Sequence, residues 1–371
     1  MEIYLDNAAT TRVCTEAADA AYKVMTEVYG NPGSTHKLGR EARAVLDDSR
    51  KKLAAALGCA PKEVYFTSGG TESDNWAILE GAYLQRRVGR HIISSAVEHD
   101  AVRKPLEKLA RDGWEITLLS PDSTGAISAD AVRAALREDT ALVTLMMVNN
   151  ETGAVMPIRE MLRATRRLSP LALFHTDAVQ GFFKLPFKAK TLGADMISVS
   201  GHKIHASKGV GALYIRPGLP LPPLILGGGQ ESNYRSGTEN LPGICGFGAA
   251  CAEQLPRLSA DIAHMKQLRD LCRETLSDVP GLVFLGKQDA PHIVNLSLPG
   301  LRSQGIINCL QDHDIYVSAG SACSRGHRSH VLEAMHLPPA VIDGSICPEN
   351  TAEDVAALHE ALLDAVRVLK G

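Results

Sequence analysis

Lys203 offers the clearest chemistry in this sequence of 371 residues. It ends the motif Ser200-Gly-His-Lys203, which follows directly on the apolar run Met196–Ser200, a predicted buried strand. Ligands of open α/β sheets bind beyond the carboxyl ends of the strands, and a lysine there could form a Schiff base with a carbonyl cofactor. Taken by itself, the motif is more typical of a solvated lysine in a turn, so the interpretation needs further residues.

A glycine-rich turn at a second strand end could bind an anion. The segment Thr67-Ser-Gly-Gly-Thr-Glu-Ser-Asp74 lies between a predicted strand and a predicted helix. Gly69 and Gly70 let the backbone approach a ligand, and their amides and that of Thr71, at a helix N-terminus, suit a phosphate. A plain strand-to-helix turn with Thr71 or Ser73 as N-cap explains the same residues equally well.

Two residues of the segment His175-Thr-Asp-Ala-Val-Gln180 could contact a planar ring. Asp177, at the end of a predicted strand, could pair with a protonated ring nitrogen, which is the usual electronic control of pyridoxal phosphate (PLP). Gln180 follows one helical turn later and could touch the same ring. The simpler interpretation of Asp177 is a helix N-cap.

Three more polar residues follow either a predicted strand or the predicted loop Pro217–Gly229, which is rich in proline and glycine. Asn150 could hydrogen-bond the phenolic oxygen of such a cofactor or the substrate, and His99 could stack on the ring and move protons. Thr238, in Arg235-Ser-Gly-Thr238, offers a hydroxyl and an amide to a phosphate. Singly, a turn asparagine, a structural histidine and a surface threonine are the better explanations.

Cys323 differs from the other cysteines because small residues surround it. In the segment Ser318-Ala-Gly-Ser-Ala-Cys-Ser-Arg-Gly326 such a thiol can be exposed on a moving loop. Arg325, His327 and Arg328 make the surroundings electropositive, which favours the thiolate. We interpret Cys323 as functional, since small flanking residues do not bury a cysteine in a core.

The convergence of these residues indicates one site. Five strand ends supply a lysine, an anion cradle, a partner for a ring nitrogen, an amide and an imidazole. Chance could supply one or two of these groups. Together, in a parallel-sheet context, they predict a PLP site.

Alternating elements must position these residues. The apolar runs that predict strands are Glu63–Phe66, His91–Ser95, Glu115–Leu119, Leu142–Val148, Leu171–His175, Met196–Ser200 and Gly211–Ile215. The predicted helices between them are Thr35–Leu57, Glu72–Arg87, Ala101–Asp112, Ala129–Arg137 and Ile158–Leu168. Such alternation predicts an α/β fold with a mostly parallel seven-stranded sheet.

The pattern changes after Pro256 and predicts a second, smaller α+β domain. A long amphipathic helix begins there, the strands His292–Leu298 and Ile315–Ser318 follow, and a final helix starts at a capping box formed by Thr351-Ala-Glu-Asp354. We expect a large domain over residues 13–257. The small domain is expected to combine residues 1–12 with residues 258–371.

Composition excludes several classes of function. The 39 basic and 42 acidic residues give a net charge of −3, so neither nucleic acid nor an anionic membrane is an expected partner. No apolar run approaches the roughly 18 residues of a spanning helix, and no signal peptide is expected. The eight cysteines form no C-x-x-C pair. We therefore expect a cytoplasmic protein with reduced thiols, and the spacing supports no structural zinc site.

With these residues established, the chain resembles the NifS/IscS-type cysteine desulfurases of the class V aminotransferase family. The matching motifs are Tyr4–Thr11, Gly30–Ser34, Thr67–Asn75, Val148–Gly153, His175–Gln180, Ser200–Lys203, Arg235–Thr238 and Gly320–Cys323. The resemblance implies a fold-type I homodimer with PLP at the dimer interface. It also implies conversion of L-cysteine to L-alanine, with the sulfur kept as an enzyme persulfide for an iron–sulfur scaffold or a tRNA-thiolation protein.

The resemblance also implies a role for each matching residue. Lys203 would hold PLP covalently, Asp177 would face the pyridine nitrogen, and His99 would stack on the ring. Asn150 and Gln180 would face the phenolic oxygen. The implied phosphate ligands are Gly70, Thr71, Ser200 and His202, with Thr238 reaching in from the other subunit. Cys323 would be the nucleophile that attacks the substrate sulfur.

One departure from the family pattern concerns the substrate. The family usually reads Ser-Ile-Arg here, and that arginine clamps the substrate carboxylate. In this chain Gly344-Ser-Ile346 runs straight into Cys347-Pro-Glu-Asn350, so about four residues are absent, the arginine among them. A PLP-binding pseudoenzyme or partner-binding subunit, impaired by the missing arginine, is therefore an alternative hypothesis. A third hypothesis is a different PLP enzyme, such as a transaminase or a selenocysteine lyase. The cysteine-bearing loop argues against a transaminase.

Overall fold

The computed structural model describes residues 2–287, 289–319, 329–335 and 341–370. Within them the strands are β1 Ile3–Tyr4, β2 Val64–Thr67, β3 His91–Ser95, β4 Glu115–Leu119, β5 Thr140–Thr144, β6 Leu173–Asp177, β7 Met196–Ser200, β8 Gly211–Ile215, β9 Val283–Phe284, β10 Ile293–Ser297, β11 Ile315–Tyr316 and β12 Ile342–Ser345.

The helices of the described residues connect these strands. They are α1 Thr15–Thr26, α2 Lys37–Leu57, α3 Gly70–Gln85, α4 Asp100–Arg111, α5 Ala129–Ala135, α6 Ile158–Leu168, α7 Ala189–Leu192, α8 Leu241–Gln254, α9 Leu258–Thr275, α10 Ser303–Asp312, α11 His330–Ala334 and α12 Ala352–Lys370. No helix in the described ranges is both long and apolar enough to cross a membrane.

The main sheet has seven strands in the order β2-β8-β7-β6-β5-β3-β4. Strands β4, β3, β5, β6 and β7 pair in parallel, whereas β8 pairs antiparallel with β7 and β2. The predicted α/β fold with a mostly parallel sheet is therefore confirmed. Because these five strands point the same way, the residues at their carboxyl ends meet at one edge of the sheet.

Both faces of this sheet are buried. Within a strand, neighbouring residues such as Leu142 and Val143, or Met196 and Ile197, belong to different apolar cores. This explains why the strands read as continuous apolar runs in the sequence. The strand predicted at Leu142–Val148 ends earlier, at Thr144, but the chain beyond it still bonds to β6 through Met147 N–H and the Asp177 carbonyl (2.8 Å).

The C-terminal region forms a separate apolar core. Strands β12, β10 and β9 make an antiparallel sheet, and β1 pairs in parallel with β11, so the first residues of the chain join this region. Ile3 and Leu5 pack there with residues of α9, α10 and α12. The predicted capping box is present, since Asp354 N–H donates to Thr351 Oγ1 and Thr351 N–H to Asp354 Oδ2.

Candidate active site

A single cavity of about 250 Å³ lies at the carboxyl edge of the parallel strands. It brings together all the predicted cofactor residues except Thr238. These are Gly70, Thr71, His99, Asn150, Asp177, Gln180, Ser200, His202 and Lys203. Residues that are scattered over more than 130 positions of sequence thus converge because the parallel strands end at one edge.

Lys203 closes a single 3₁₀ turn that follows β7 directly. Its Nζ donates to the carbonyl oxygens of Ala8 (2.5 Å) and Ala9 (2.8 Å). The turn is also held by Thr11, whose N–H and hydroxyl both donate to the His202 carbonyl (2.8 and 3.0 Å). Lys203 is therefore not a solvated turn lysine, because its amine is fixed at the cavity wall.

The N-terminus of α3 forms one wall of the cavity. Gly69 precedes the helix at φ 154°, a conformation that favours glycine. A Cβ on Gly70 would lie 2.7 Å from Val179 Cγ2, so only glycine fits where the helix begins. The first-turn amides of a helix lack acceptors within it and are available to an anion. Gly69 is the N-cap, so the alternative of a side-chain cap from Thr71 or Ser73 is wrong.

Asp177 is the last residue of β6 and is 7% exposed. One carboxylate oxygen accepts a hydrogen bond from Val179 N–H (2.8 Å). Burial raises the pKa of Asp177, and the hydrogen bond from Val179 N–H and the positive charge of Lys203 oppose that rise. A buried carboxylate in this position favours a positively charged partner inside the cavity.

His99 combines a structural with a functional position. It is the N-cap of α4, and its Nδ1 accepts a hydrogen bond from Ala101 N–H (3.1 Å). Burial lowers the pKa of His99. The neutral ring therefore carries its proton on Nε2, since Nδ1 is an acceptor.

Gln180 and His202 line the cavity but are also engaged by the protein. Gln180 Nε2 donates to the Ala8 carbonyl (2.8 Å), and its Oε1 accepts from His292 Nε2 (3.2 Å). His202 Nδ1 bonds to Thr10 Oγ1 (3.2 Å), and burial lowers the pKa of His202 to about 4. Both side chains are thus held in place before any ligand binds.

Asn150 depends on its neighbour Asn149 for its position. Asn149 is fully buried, and its Oδ1 accepts from the N–H groups of Glu151 (3.0 Å) and Thr152 (2.8 Å). Its Nδ2 donates to the Val97 carbonyl (2.9 Å). These bonds fold the turn that carries Asn150 to the cavity.

The model of the aminotransferase class-V family matches residues 3–358. The chain belongs to this family. Cysteine desulfurase IscS of Methanosarcina thermophila is 40% identical over 376 residues, covering 99% of this chain and 93% of that protein. A putative cysteine desulfurase, IscS 1 of Bacillus subtilis, is 40% identical over 99% of both chains.

Solved structures agree with this family assignment. A NifS-like protein superposes with a TM-score of 0.94 at 35% identity over both complete chains. A second structure, described as SspA in complex with cysteine, superposes with a TM-score of 0.82 at 31% identity over 95% of this chain and all of that chain. The NifS/IscS-type resemblance predicted from the motifs is confirmed, and the chain is a cysteine desulfurase-type enzyme of the class-V family.

The donor set of the cavity fits PLP, the cofactor of this family. The glycine cradle at the start of α3 suits its phosphate, the buried Asp177 suits a protonated ring nitrogen, and Lys203 suits its aldehyde. Thr238 lies apart, in a second cavity with Ser68 and Arg235. That Thr238 binds the cofactor phosphate of the other subunit stays a prediction.

Several predicted residues lie outside the described residues, namely Cys323, Arg325, His327 and Arg328. Cys347, the alternative thiol, is 7% exposed and does not line the cavity. Burial raises the pKa of Cys347 to about 12, which disfavours a reactive thiolate. Among the described residues, no arginine lines the cavity; Asp6, Asp343 and Ser318 do.

Sequence reasoning missed the acids around and beneath the cavity. Asp74 and Asp343 line it, and burial raises the pKa of both well above the ordinary value. Glu98 is fully buried beside them; it accepts from Ser95 Oγ (2.6 Å) and from Met146 N–H (3.1 Å). The one sequence signal was the position of Glu98 at a strand end, next to His99.

We predict that Glu98 makes stability fall as pH rises from about 4.5 to about 8. Burial raises the pKa of Glu98 to about 8, so the folded chain keeps a proton that the unfolded chain loses above pH 4.5. Stability from this group is therefore present at low pH and declines by as much as about 5 kcal/mol across the window. Denaturant unfolding at pH 5 and pH 8 should show that the free energy of unfolding changes less with pH in Glu98→Gln than in the parent protein. Glu160→Gln, on the surface, should leave the parent slope unchanged; an unchanged slope in Glu98→Gln would contradict the prediction.

Proposed function

We propose that this enzyme removes sulfur from L-cysteine, releases L-alanine and keeps the sulfur as a persulfide on Cys323. The observation that carries the proposal is the convergence of Lys203, Asp177 and the N-terminus of α3 in one cavity, in a chain 40% identical to cysteine desulfurases. When bound, PLP supplies an electron sink for the bonds at the α-carbon of the substrate.

Three groups of residues would hold the cofactor. Asp177, whose ionised form Val179 N–H and the Lys203 charge favour, would bind the ring N–H, and His99 would cover the ring. The phosphate would lie against the ligands Gly70, Thr71, Ser200 and His202. Asn150 and Gln180 would face the phenolic oxygen, with Gln180 already oriented by Ala8 and His292.

Lys203 and His99 are the groups that can move protons at the substrate. The Nζ of Lys203 is held between two carbonyl oxygens, so its lone pair, once deprotonated, has a fixed direction at the cavity wall. The neutral ring of His99 carries its proton on Nε2, because Nδ1 accepts from Ala101 N–H. Lysine and histidine side chains are among the groups that act as general acids and bases.

Cys323 would complete the reaction as the nucleophile. Its thiolate would attack the substrate sulfur, forming an S–S bond while the carbon–sulfur bond breaks and its electron pair stays with the carbon skeleton. The persulfide would then pass to an acceptor protein, either an iron–sulfur scaffold or a tRNA-thiolation enzyme. The seven cysteines of the described residues are free thiols, which supports a reducing, cytoplasmic setting.

A homodimer is part of the proposal. Helix α1 and the chain after it expose Tyr22, Met25 and Tyr29, which are 65%, 58% and 69% exposed. Large exposed apolar side chains of this kind are typical of an interface. In a homodimer, Thr238 of one subunit would also be able to contact the cavity that contains Lys203 in the other.

The residues that line the cavity favour one alternative to an efficient desulfurase, namely an enzyme with weak turnover. No arginine lines the described part of the cavity, whereas the carboxyls of Asp6 and Asp343 do. A substrate carboxylate would therefore lack the bidentate partner that holds it in the family.

The cofactor assignment predicts that Lys203→Ala loses the borohydride-reducible linkage to PLP, because no other described cavity residue carries a primary amine. Peptide mapping after borohydride reduction should find the adduct on Lys203 in the parent protein. Lys208→Ala, five residues away, is the matched control and should keep the linkage. An adduct on Lys208 would overturn the assignment.

The nucleophile assignment predicts that Cys323→Ser keeps the PLP absorbance and still binds cysteine but forms no persulfide. Alanine release should fall to background, since the sulfur has no acceptor. Cys347→Ser should form persulfide as the parent does, because Cys347 lies buried outside the cavity. Alanine production by Cys323→Ser at the parent rate would show that another thiol is the nucleophile.

The shortened segment predicts a high KM for L-cysteine. Loss of a charge-assisted bidentate pair costs on the order of 2–5 kcal/mol in a desolvated site, which is roughly one to three orders of magnitude in binding. Insertion of an arginine-containing strand after Ile346 should lower KM with little change in kcat, as expected for uniform binding. The same insertion with alanine in place of arginine is the control. A KM unaffected by the arginine would show that another group holds the carboxylate.

A further inference from the structure

A second cluster of ligating side chains lies outside the cavity. The donor atoms of His205, Cys347 and Glu349 all lie within 4.8 Å of one another. None of the three lines the cavity that contains Lys203. His205 follows Lys203 by two residues, while Cys347 and Glu349 belong to the turn before α12, where the chain departs from its family.

The tautomer of His205 decides what this cluster can bind. His205 Nδ1 lies 3.0 Å from the Arg12 carbonyl, which can only accept, so Nδ1 carries the proton. Nε2 of the neutral ring then presents a lone pair. It is buried, has no hydrogen-bond partner, and lies 3.6 Å from a carboxylate oxygen of Glu349. In this neutral tautomer the Nε2 lone pair faces the carboxylate oxygen with no hydrogen bond between them, and either a proton on Nε2 or a bound cation would make the contact favourable.

This histidine has the arrangement of a metal ligand. Histidines that bind metals usually donate their other ring N–H to a carbonyl or a carboxylate, which fixes the tautomer and the ring direction. The Arg12 carbonyl fills that position for His205. The ring itself is 4% exposed, so no bulk water satisfies Nε2.

Cys347 and Glu349 present their donors to the same point. Cys347 Sγ is buried and lies 3.3 Å from Asn350 Oδ1, which also accepts from Cys347 N–H (2.9 Å). Asn350 thereby fixes the turn that carries both ligands. The Glu349 side chain is 52% exposed, so one side of the cluster is open to solvent.

We propose that His205 Nε2, Cys347 Sγ and the Glu349 carboxylate bind one divalent cation of the zinc class, with solvent in the fourth position. Nitrogen, thiolate and carboxylate ligands together suit Zn²⁺, with bond lengths of about 2.0–2.3 Å. Tetrahedral bonds of that length separate neighbouring donors by about 3.5 Å, close to the separation of the His205 and Glu349 donors. Although burial raises the pKa of the free Cys347 thiol, a coordinated thiol is deprotonated, so one thiolate and one carboxylate would balance the two charges of the ion.

The surrounding charges are mixed: Lys184 and Arg257 oppose a cation, and Asp261 favours one. Lys184 is buried and acts electrostatically on Cys347 and Glu349, Asp261 interacts with Glu349, and Arg257 acts on His205. Burial lowers the pKa of Lys184, so its uncharged form is accessible beside the ion. A bound ion would join the turn after Lys203 to the turn before α12, across the shortened segment.

The test measures metal binding by the PLP-loaded protein in a Cys323→Ser background, which removes the loop thiol. After chelation and desalting, titration with Co²⁺ should give tetrahedral absorption bands at one equivalent per chain. Zn²⁺ should displace the Co²⁺ and raise Tm. Cys347→Ser and His205→Gln should each weaken binding by more than about 100-fold, the upper end of what loss of an outer-shell partner costs. Cys309→Ser, which removes a thiol of α10 outside the cluster, should bind as the background does.

Lys184→Met gives a second, independent readout. Removal of the buried amine should tighten Zn²⁺ binding if the cluster binds cations. Equal binding by the background, Cys347→Ser and His205→Gln would mean that the metal lies elsewhere and would overturn the proposal. The proposal would also be overturned if the background protein did not bind one equivalent of metal tightly. Weaker metal binding by a Lys184→Met variant that folds as the background does would overturn it as well.

Discussion

The contact between Lys203 and the carbonyl oxygens of Ala8 and Ala9 ties three parts of the chain together. The same Ala8 carbonyl accepts from Gln180, and Ala8 N–H donates to Ser345 Oγ at 2.6 Å. The N-terminal segment thus lies between the end of β7, the residues after β6 and the last strand, β12. The position of the reactive amine therefore depends on the C-terminal region as well as on its own strand.

Much of the site could be predicted because parallel strands concentrate polar residues at one edge. Where an apolar run is followed by a polar residue, as before Lys203 or Asp177, neighbouring residues in the sequence predict both the strand and the site residue that follows it. The acids Asp74 and Asp343 could not be recognised this way, since their burial depends on elements far apart in sequence. The His205–Cys347–Glu349 cluster was missed for the same reason: ligand-spacing patterns detect only neighbours along the chain.

Helices without a polar face were also missed. Helix α8 contains three glycines, which lower its helix propensity, and its sequence shows no apolar stripe. The structure explains the glycines: a Cβ on Gly246 would lie 2.9 Å from the Ala17 carbonyl, and one on Gly248 would lie 2.9 Å from Ser49 Cα. Close packing against α1 and α2, rather than periodicity, requires this composition. Such a requirement is visible only once the partner helices are in place.

The acids at the cavity bear directly on the missing arginine. Burial raises the pKa of Asp6 and Asp343, and Glu151 and Asp6 raise that of Asp343 further. Carboxyl groups that are more readily neutral repel a substrate carboxylate less, but they supply neither its charge partner nor a bidentate fork. His99 is held by Ala101 N–H, and Lys203 Nζ by Ala8 and Ala9, of which Ala8 also bonds to Ser345 beside the shortened segment. In the proposed reaction the shortened segment would therefore act first on capture of the substrate carboxylate, and it reaches the amine only through the contact between Ala8 and Ser345.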